Sequence, residues 1–317
     1  MAGAGMTGLA ADPLCIRHHT GWGHPECPER YEAVMAGLAE AGVMEKLRPL
    51  PSRDATRAEL LRVHVPEYLD SAERSIKEGE PELETGDTSV CEASWDVALR
   101  AAGLAIGAVD AVLKGEVDNA FCAIRPPGHH ATSSRGMGFC IFNNIAAATR
   151  HAQQAHGIER VLIVDWDVHH GNGTEEIFYE DGSVLFFSTH QWPLYPGTGR
   201  RTDRGRGEGL GKTINVPVPA GSGGEVLIAA MREELAPAAE EAKPGLVLIS
   251  AGFDARAGDP LGGLRVRDEE FAEMTRLVMG IAERHAAGRV VSLLEGGYDL
   301  DGLGMAAAAH VGVLAGG

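Results

Sequence analysis

The sequence predicts a single α/β domain, a parallel β-sheet flanked by helices on both faces. Three observations predict it. Apolar runs of strand length recur along the 317 residues, stretches with helical periodicity separate most of them, and the runs are continuously apolar rather than alternating. The expected strands are "FCAI" (Phe121–Ile124), "VLIVDWD" (Val161–Asp167), "VLFFSTH" (Val184–His190), "LVLISAGFD" (Leu246–Asp254) and "VVSLLEGGY" (Val290–Tyr298). The helical stretches, rich in Ala, Leu, Glu and Met, are Ala93–Lys114, Asn143–His156, Ser222–Glu241 and Asp268–Ala286. No internal repeat or low-complexity linker divides the chain, so residues 1–317 read as one domain. A hydrophobic content of 44% supplies a sizeable core.

Composition narrows the function. A formal charge of −17 argues against a nucleic-acid partner and would suit a cationic one. Cys15, Cys27, Cys91, Cys122 and Cys140 are scattered with no C-x-x-C pair, which fits neither a disulfide framework nor a thiolate zinc site and points to a reducing cytoplasm. The first dozen residues carry no basic leader region, and no apolar run reaches bilayer length. A soluble, unexported chain without a membrane partner is expected.

The Gly- and Pro-rich stretches "RPPGHHATSSRGMGF", "YPGTGRRTDRGRGEGLG", "AGFDARAGDPLGG" and "EGGYDLDG" all follow strands. Loops at the carboxyl ends of parallel strands gather around the ligand crevice. In "LIVDWDVHHGNGT" (Leu162–Thr174), alternate residues of a strand face one side, so Asp167 and His169 can converge with Asp165 beneath them. Asp254, at the end of another strand, can complete a set of two carboxylates and one imidazole. That set suits catalytic Zn²⁺, and equally Fe(II), Mn²⁺ or Co²⁺. D-x-D-x-H alone is a weak signal, because an aspartate closing a strand often caps the next helix.

The other strand ends strengthen it. In "RPPGHHA", His129 and His130 follow a stiff turn, and one of them can serve as general base while its neighbour supplies charge or a hydrogen bond. Tyr298 of "LEGGYD" can donate to a developing oxyanion. Asp165 and Asn172 can fix the tautomers of the two histidines. Together these groups describe metal-assisted attack of water on a carbonyl.

"RPPGHHA", "GMGFCIFNNIA", "DWDVHHGNGT", "YPGTG", "SAGFDARAGDPLGG" and "LEGGYD" stand in this order after "GHPECPERY". From about Cys15 to Leu314 the chain resembles the histone deacetylase superfamily, on its class II-like branch. The resemblance implies an arginase-like α/β fold and one Zn²⁺ per chain held by Asp167, His169 and Asp254. It implies hydrolysis of an N-acetyl amide to acetate and an amine, with His130 as base, His129 as its companion and Tyr298 as oxyanion donor. Gly138, Phe139 and Tyr195 match the acetyl-lysine tunnel, and K⁺ is implied near Asp165, Asp167, His169 and Ser188.

Two departures bear on substrate. Arg256 stands where many relatives carry His, which is expected to alter the charge of the rim. Leu261 stands where polyamine-selective relatives carry Glu, which favours acetyl-lysine peptides or proteins over acetylpolyamines. Asp87 and Thr88 fall where the family grips substrate at the rim, and a capping role explains the two residues equally well. The alternatives are a small acetylated amine as substrate, a related two-manganese ureohydrolase, and a non-catalytic acyl-lysine-binding module; a homo-oligomer remains open.

Overall fold

The computed structural model describes residues 5–317. Its strands are β1 (Thr7–Ala11), β2 (Leu47–Pro49), β3 (Asn119–Ala123), β4 (Val161–Asp165), β5 (Val184–Gln191), β6 (Thr213–Val218), β7 (Leu246–Ala251) and β8 (Val290–Leu294). All eight are parallel, in the order β2-β1-β3-β8-β7-β4-β5-β6. The four strands whose ends carry the expected site, β3, β8, β7 and β4, are therefore adjacent at the centre of the sheet.

Strand residues feed two cores by turns. Leu162 and Val164 of β4, with Val247 and Ile249 of β7, face one layer. Val161 and Ile163, with Leu246 and Leu248, face the other. Apolar residues on both faces are what a sheet covered on both sides demands, and each fully buried side chain of this size contributes about 1.5–3 kcal/mol.

Ten α-helices cover the sheet among the described residues: α1 (Glu29–Glu40), α2 (Arg57–Leu60), α3 (Pro66–Glu78), α4 (Ser94–Leu113), α5 (Asn144–His156), α6 (Asn172–Phe178), α7 (Gly224–Ala230), α8 (Ala236–Ala242), α9 (Asp268–His285) and α10 (Leu300–Leu314). Buried residues of α1, α9 and α10 belong to the first core, and those of α3, α4 and α5 to the second. Local chemistry sets several ends. Pro66 opens α3 at a position that needs no N–H, and left-handed Gly79 closes it. The Asn143 side chain accepts the Ala146 N–H at 3.0 Å to cap α5.

The expected strands and helices are present, with three differences. First, β1, β2 and β6 were not expected: β1 is built from small residues, and β2 and β6 are edge strands carrying Pro49 and Pro217, which breaks the apolar signature. Second, the helix expected over Ser222–Glu241 is α7 and α8 joined by a π-helical turn, Met231–Leu235. Third, β4, β7 and β8 stop at Asp165, Ala251 and Leu294. Asp167, His169, Asp254 and Tyr298 thus lie in loops, so alternation along a strand is not what makes Asp167 and His169 converge. Among the described residues the five cysteines are free, and no helix is long and apolar enough to cross a membrane.

Candidate active site

The convergence of Asp167, His169 and Asp254 comes from bends fixed by backbone N–H groups. Asp165 Oδ1 accepts the Asp167 N–H at 3.1 Å, and Asp167 Oδ1 accepts the His169 N–H at 2.9 Å. Each carboxylate thereby curls the chain over itself, an Asx-type turn. Asp254 Oδ1 accepts the Val168 N–H at 2.8 Å, tying the β7 loop to the β4 loop, and Asp167 Oδ2 accepts the Gly296 N–H at 2.8 Å, tying in the β8 loop. A Cβ at Gly296 would stand 2.0 Å from Asp254 Oδ2, so only glycine lets the three loops meet.

These contacts leave His169 Nδ1 3.1 Å from Asp167 Oδ1 and 3.2 Å from Asp254 Oδ2. Donors about 2.0–2.1 Å from one tetrahedral ion stand roughly 3.3 Å apart, so the spacing fits a metal. The electrostatics fit as well. Burial, then the charge of Asp167, pushes the Asp254 carboxyl up to about 7. Burial opposes a charge on His169, yet its bonds to Asp167 and Asp254 lift its pKa to about 10. Positive charge is favoured where the three groups meet, and a divalent ion would relieve the two buried carboxylates.

The tandem histidines sit beside this cluster in a loop after β3. His129 Nδ1 lies 2.9 Å from Asp165 Oδ2, and His130 Nδ1 lies 2.7 Å from the amide oxygen of Asn172. An amide oxygen only accepts, so His130 carries its proton on Nδ1 and presents a bare Nε2. Their rings are 4.0 Å apart. Burial works against a charge on His129, but Asp165 and Asp167 hold its pKa well above the usual imidazole value. Burial, followed by the charges of His129 and His169, holds His130 well below it. One imidazole is thus disposed to be charged and its neighbour neutral.

Above the cluster opens a cavity of about 350 Å³, into which His130, His169, Gly138, Phe139, Tyr195, Tyr298, Leu261 and Asp87 all face. Phe139 and Tyr195 supply aromatic walls. Phe139 has a left-handed backbone (φ 69°), and a Cβ at its neighbour Gly138 would stand 2.5 Å from the His130 ring. At the mouth, the Tyr195 hydroxyl donates to Asp87 Oδ2 at 2.7 Å. Leu194 lines the same cavity and was not expected. Ser188 lies away from it, paired in register with Asp165 across β4 and β5, with its hydroxyl 3.0 Å from His190 Nδ1.

At the rim, Thr88 takes the capping alternative and the expectation for Arg256 is corrected. Thr88 is fully buried, its hydroxyl donating to Asp87 and its carbonyl accepting the Leu83 N–H, so it shapes the loop and cannot grip a ligand. Arg256 does not line the cavity: its guanidinium is taken by Asp268 at 2.7 Å and Asp299 at 3.5 Å, so it leaves the charge of the mouth unchanged.

Three supporting residues escaped the sequence. Glu295 is buried, and its Oε2 accepts the N–H groups of Gly128 at 2.7 Å and His129 at 3.1 Å, while Oε1 accepts the Ser250 hydroxyl at 3.0 Å. Asp259 accepts the Tyr298 N–H at 2.7 Å and the Leu261 N–H at 2.9 Å, holding floor and mouth together. Buried Arg30 donates to the Gly297 carbonyl at 2.6 Å and lies 4.9 Å from the Tyr298 ring centre, while Glu26 balances it and Arg125. The motifs "LEGGYD" and "GHPECPERY" contain Glu295 and Arg30, but the contacts that tie them to the site, to Gly128 and His129 N–H and to the Gly297 carbonyl, are to backbone groups distant in sequence.

Fold and site together define a class: α/β proteins with a buried carboxylate–imidazole cluster beneath an aromatic-walled tunnel. Within it, residues 24–314 match the histone deacetylase domain, and the chain belongs to that family. It is 43% identical over 94% of its length to a probable deacetylase of Archaeoglobus fulgidus, covering 82% of that protein. It is 40% identical over 92% of its length to a histone deacetylase-like amidohydrolase of Pseudomonas aeruginosa, covering 81% of it. The human polyamine deacetylase HDAC10 is 41% identical over 89% of this chain, which spans 44% of that longer protein. Among solved structures, the HD domain of HDA15 superposes with a TM-score of 0.93 at 39% identity, over 98% of this chain and 90% of the other.

Proposed function

We propose that this chain is a zinc-dependent deacetylase that hydrolyses N-acetyl amides, acetyl-lysine side chains in particular, to acetate and the free amine. The observation that carries the reading is the meeting of His130, Tyr298 and the Asp167–His169–Asp254 cluster at the floor of one aromatic-walled cavity. A divalent ion held by those three residues would supply Lewis-acid chemistry, polarising the amide carbonyl and easing deprotonation of water.

The chain's own residues supply the rest. Phe139 and Tyr195 flank a slot for an alkyl stem and exclude water around it. His130 accepts the proton of the attacking water at Nε2, because its Nδ1 is committed to Asn172. His129, disposed to be charged by Asp165, adds positive charge beside the developing oxyanion. The Tyr298 hydroxyl donates to that oxygen; burial holds its pKa well above that of a free phenol, so it keeps its proton. A proton then passes from His130 to the leaving amine. A monovalent cation, K⁺, near Asp165, Asp167, His169 and Ser188 is part of the proposal, supported by the buried register pair of Asp165 and Ser188. We place the activity in the cytoplasm on the free cysteines.

A second reading, a small acetylated amine such as an acetylpolyamine, is favoured by the likeness to the human polyamine deacetylase. Against it, Leu261 offers no carboxylate to a secondary ammonium, and Asp87, the one acid among the described residues lining the cavity, already accepts from Tyr195. A pure binding module would have no use for a bare imidazole nitrogen beside a metal cluster. The test is acetate release from an acetyl-lysine peptide and an acetylpolyamine in parallel, with and without a hydroxamate. Faster, hydroxamate-sensitive turnover of the peptide is expected; turnover of the polyamine alone would transfer the assignment to the second reading.

A further inference from the structure

The sheet-covering helices α4 and α5 bring together a second group with the donors of a metal site. Asp110 of α4 meets His151 and His156 of α5, and one donor atom from each lies within 4.8 Å of the others. Both imidazoles aim the same nitrogen at the same oxygen: His151 Nε2 is 2.8 Å and His156 Nε2 is 2.6 Å from Asp110 Oδ1. The ring centres are 5.6 Å apart, so the rings flank the oxygen without stacking. We propose that Asp110, His151 and His156 form a second, structural site for a divalent transition metal of the zinc class, clamping α4 to α5.

Two imidazoles and one carboxylate are a donor set that Zn²⁺ accepts, with a water completing the tetrahedron. The surroundings supply what such a site needs. Glu59 Oε1 lies 3.6 Å from His151 Nδ1, placed to take the N–H that this ring must carry once Nε2 ligates. Lys114 Nζ stands 3.4 Å from the other Asp110 oxygen, Oδ2, and leaves Oδ1 to the histidines. Solvent reaches all three side chains, which are 24%, 10% and 18% exposed, leaving a path for the ion and its water.

Binding requires two adjustments. The donors must part by roughly half an ångström to reach tetrahedral spacing, and Arg62 Nη1, now 3.3 Å from His151 Nδ1, must turn away. Arg62 is only part-buried, and His156 ends its helix, so both have room to move.

The test is zinc stoichiometry and affinity on the intact chain, by calorimetric titration after chelator treatment and by metal analysis. The wild type is expected to bind two Zn²⁺ per chain and the His151→Ala/His156→Ala double variant one, with acetate release unchanged between them. Because the proposed catalytic cluster is untouched, failure here is distinguishable from failure of the deacetylase reading. Asp110→Asn keeps an oxygen to accept both N–H groups but loses the charged donor, and is expected to weaken the second Zn²⁺ by at least roughly tenfold. Zn²⁺ should raise Tm of the wild type more than that of either variant. The same number of Zn²⁺ per chain in the wild type and the His151→Ala/His156→Ala variant, or a second Zn²⁺ bound equally well by Asp110→Asn, would overturn the site and leave a hydrogen-bonded cluster, whereas one Zn²⁺ in the wild type and none in the double variant would keep it and count against the catalytic cluster instead.

Discussion

The floor and the mouth of the cavity are built differently. At the floor, the side chains are held by buried or half-buried partners: buried Asp165 under His129, half-buried Asn172 under His130, and buried Glu295 under the loop carrying both. At the mouth, Asp87 and Tyr195 hold one another near solvent, and Leu261 is fixed through its backbone alone. On the proposed reading, the more fully braced floor carries the reaction and the more exposed mouth meets the substrate. Substitutions at the two levels should separate kcat from selectivity.

The largest effects belong to the floor. Tyr298→Phe is expected to lower kcat by at least roughly a hundredfold, as loss of an oxyanion donor does, with bound zinc retained; His130→Ala should do the same while substrate still binds. Loss of zinc from Tyr298→Phe, or near-normal turnover by His130→Ala, would break the assignment of roles. One level further back, Glu295→Ala strands two buried N–H groups and should cost about 2–4 kcal/mol of stability. It should also reduce kcat through displacement of the His129–His130 loop, with KM little changed. Glu295→Gln keeps an accepting oxygen and should restore most of both; equal damage by the two variants would show that charge, not geometry, matters there.

A smaller effect is expected at the mouth. Leu261→Glu should move the ratio of kcat/KM for acetylpolyamine over acetyl-lysine by about tenfold, the size of one charge-assisted hydrogen bond, leaving zinc content and the pH profile alone. An unchanged ratio would mean that a secondary ammonium never approaches this position.

Acid acts on the packing behind the floor. Burial holds His18 and His64 down to about 4 and, with the charge of His170, His190 to about 3. The unfolded chain protonates these groups near 6.5, so it binds more protons than the folded chain below that pH. Their contribution is intact above about pH 6.5 and is lost as pH falls towards 4. Thermal melts should show Tm falling steadily over this window, and a flat Tm would contradict the neutral, buried state of these rings.

How much of this was legible depends on where each interaction partner lies in the chain. The central strands announced themselves by unbroken apolar runs, and Asp167, His169, Asp254, His129, His130 and Tyr298 by motifs short enough to read locally. β1 and the edge strands β2 and β6 carry small residues or proline and left no such signal. Asp165 and Asn172 were readable because their partners are side chains of the expected types. Glu295, Asp259 and Arg30 were not, because they act on backbone groups that only the fold brings near. Thr88 and Arg256 show the converse: motif position placed them at the rim, and burial or ion pairing removed them from it.

The most direct test of the deacetylase reading is acetate release from an acetyl-lysine peptide while Zn²⁺ is titrated into metal-free protein. Turnover should rise from nothing to a plateau with the ion bound at Asp167, His169 and Asp254, and Asp254→Ala should abolish the rise. Acetate release that is independent of metal, or that survives Asp254→Ala, would contradict the reading.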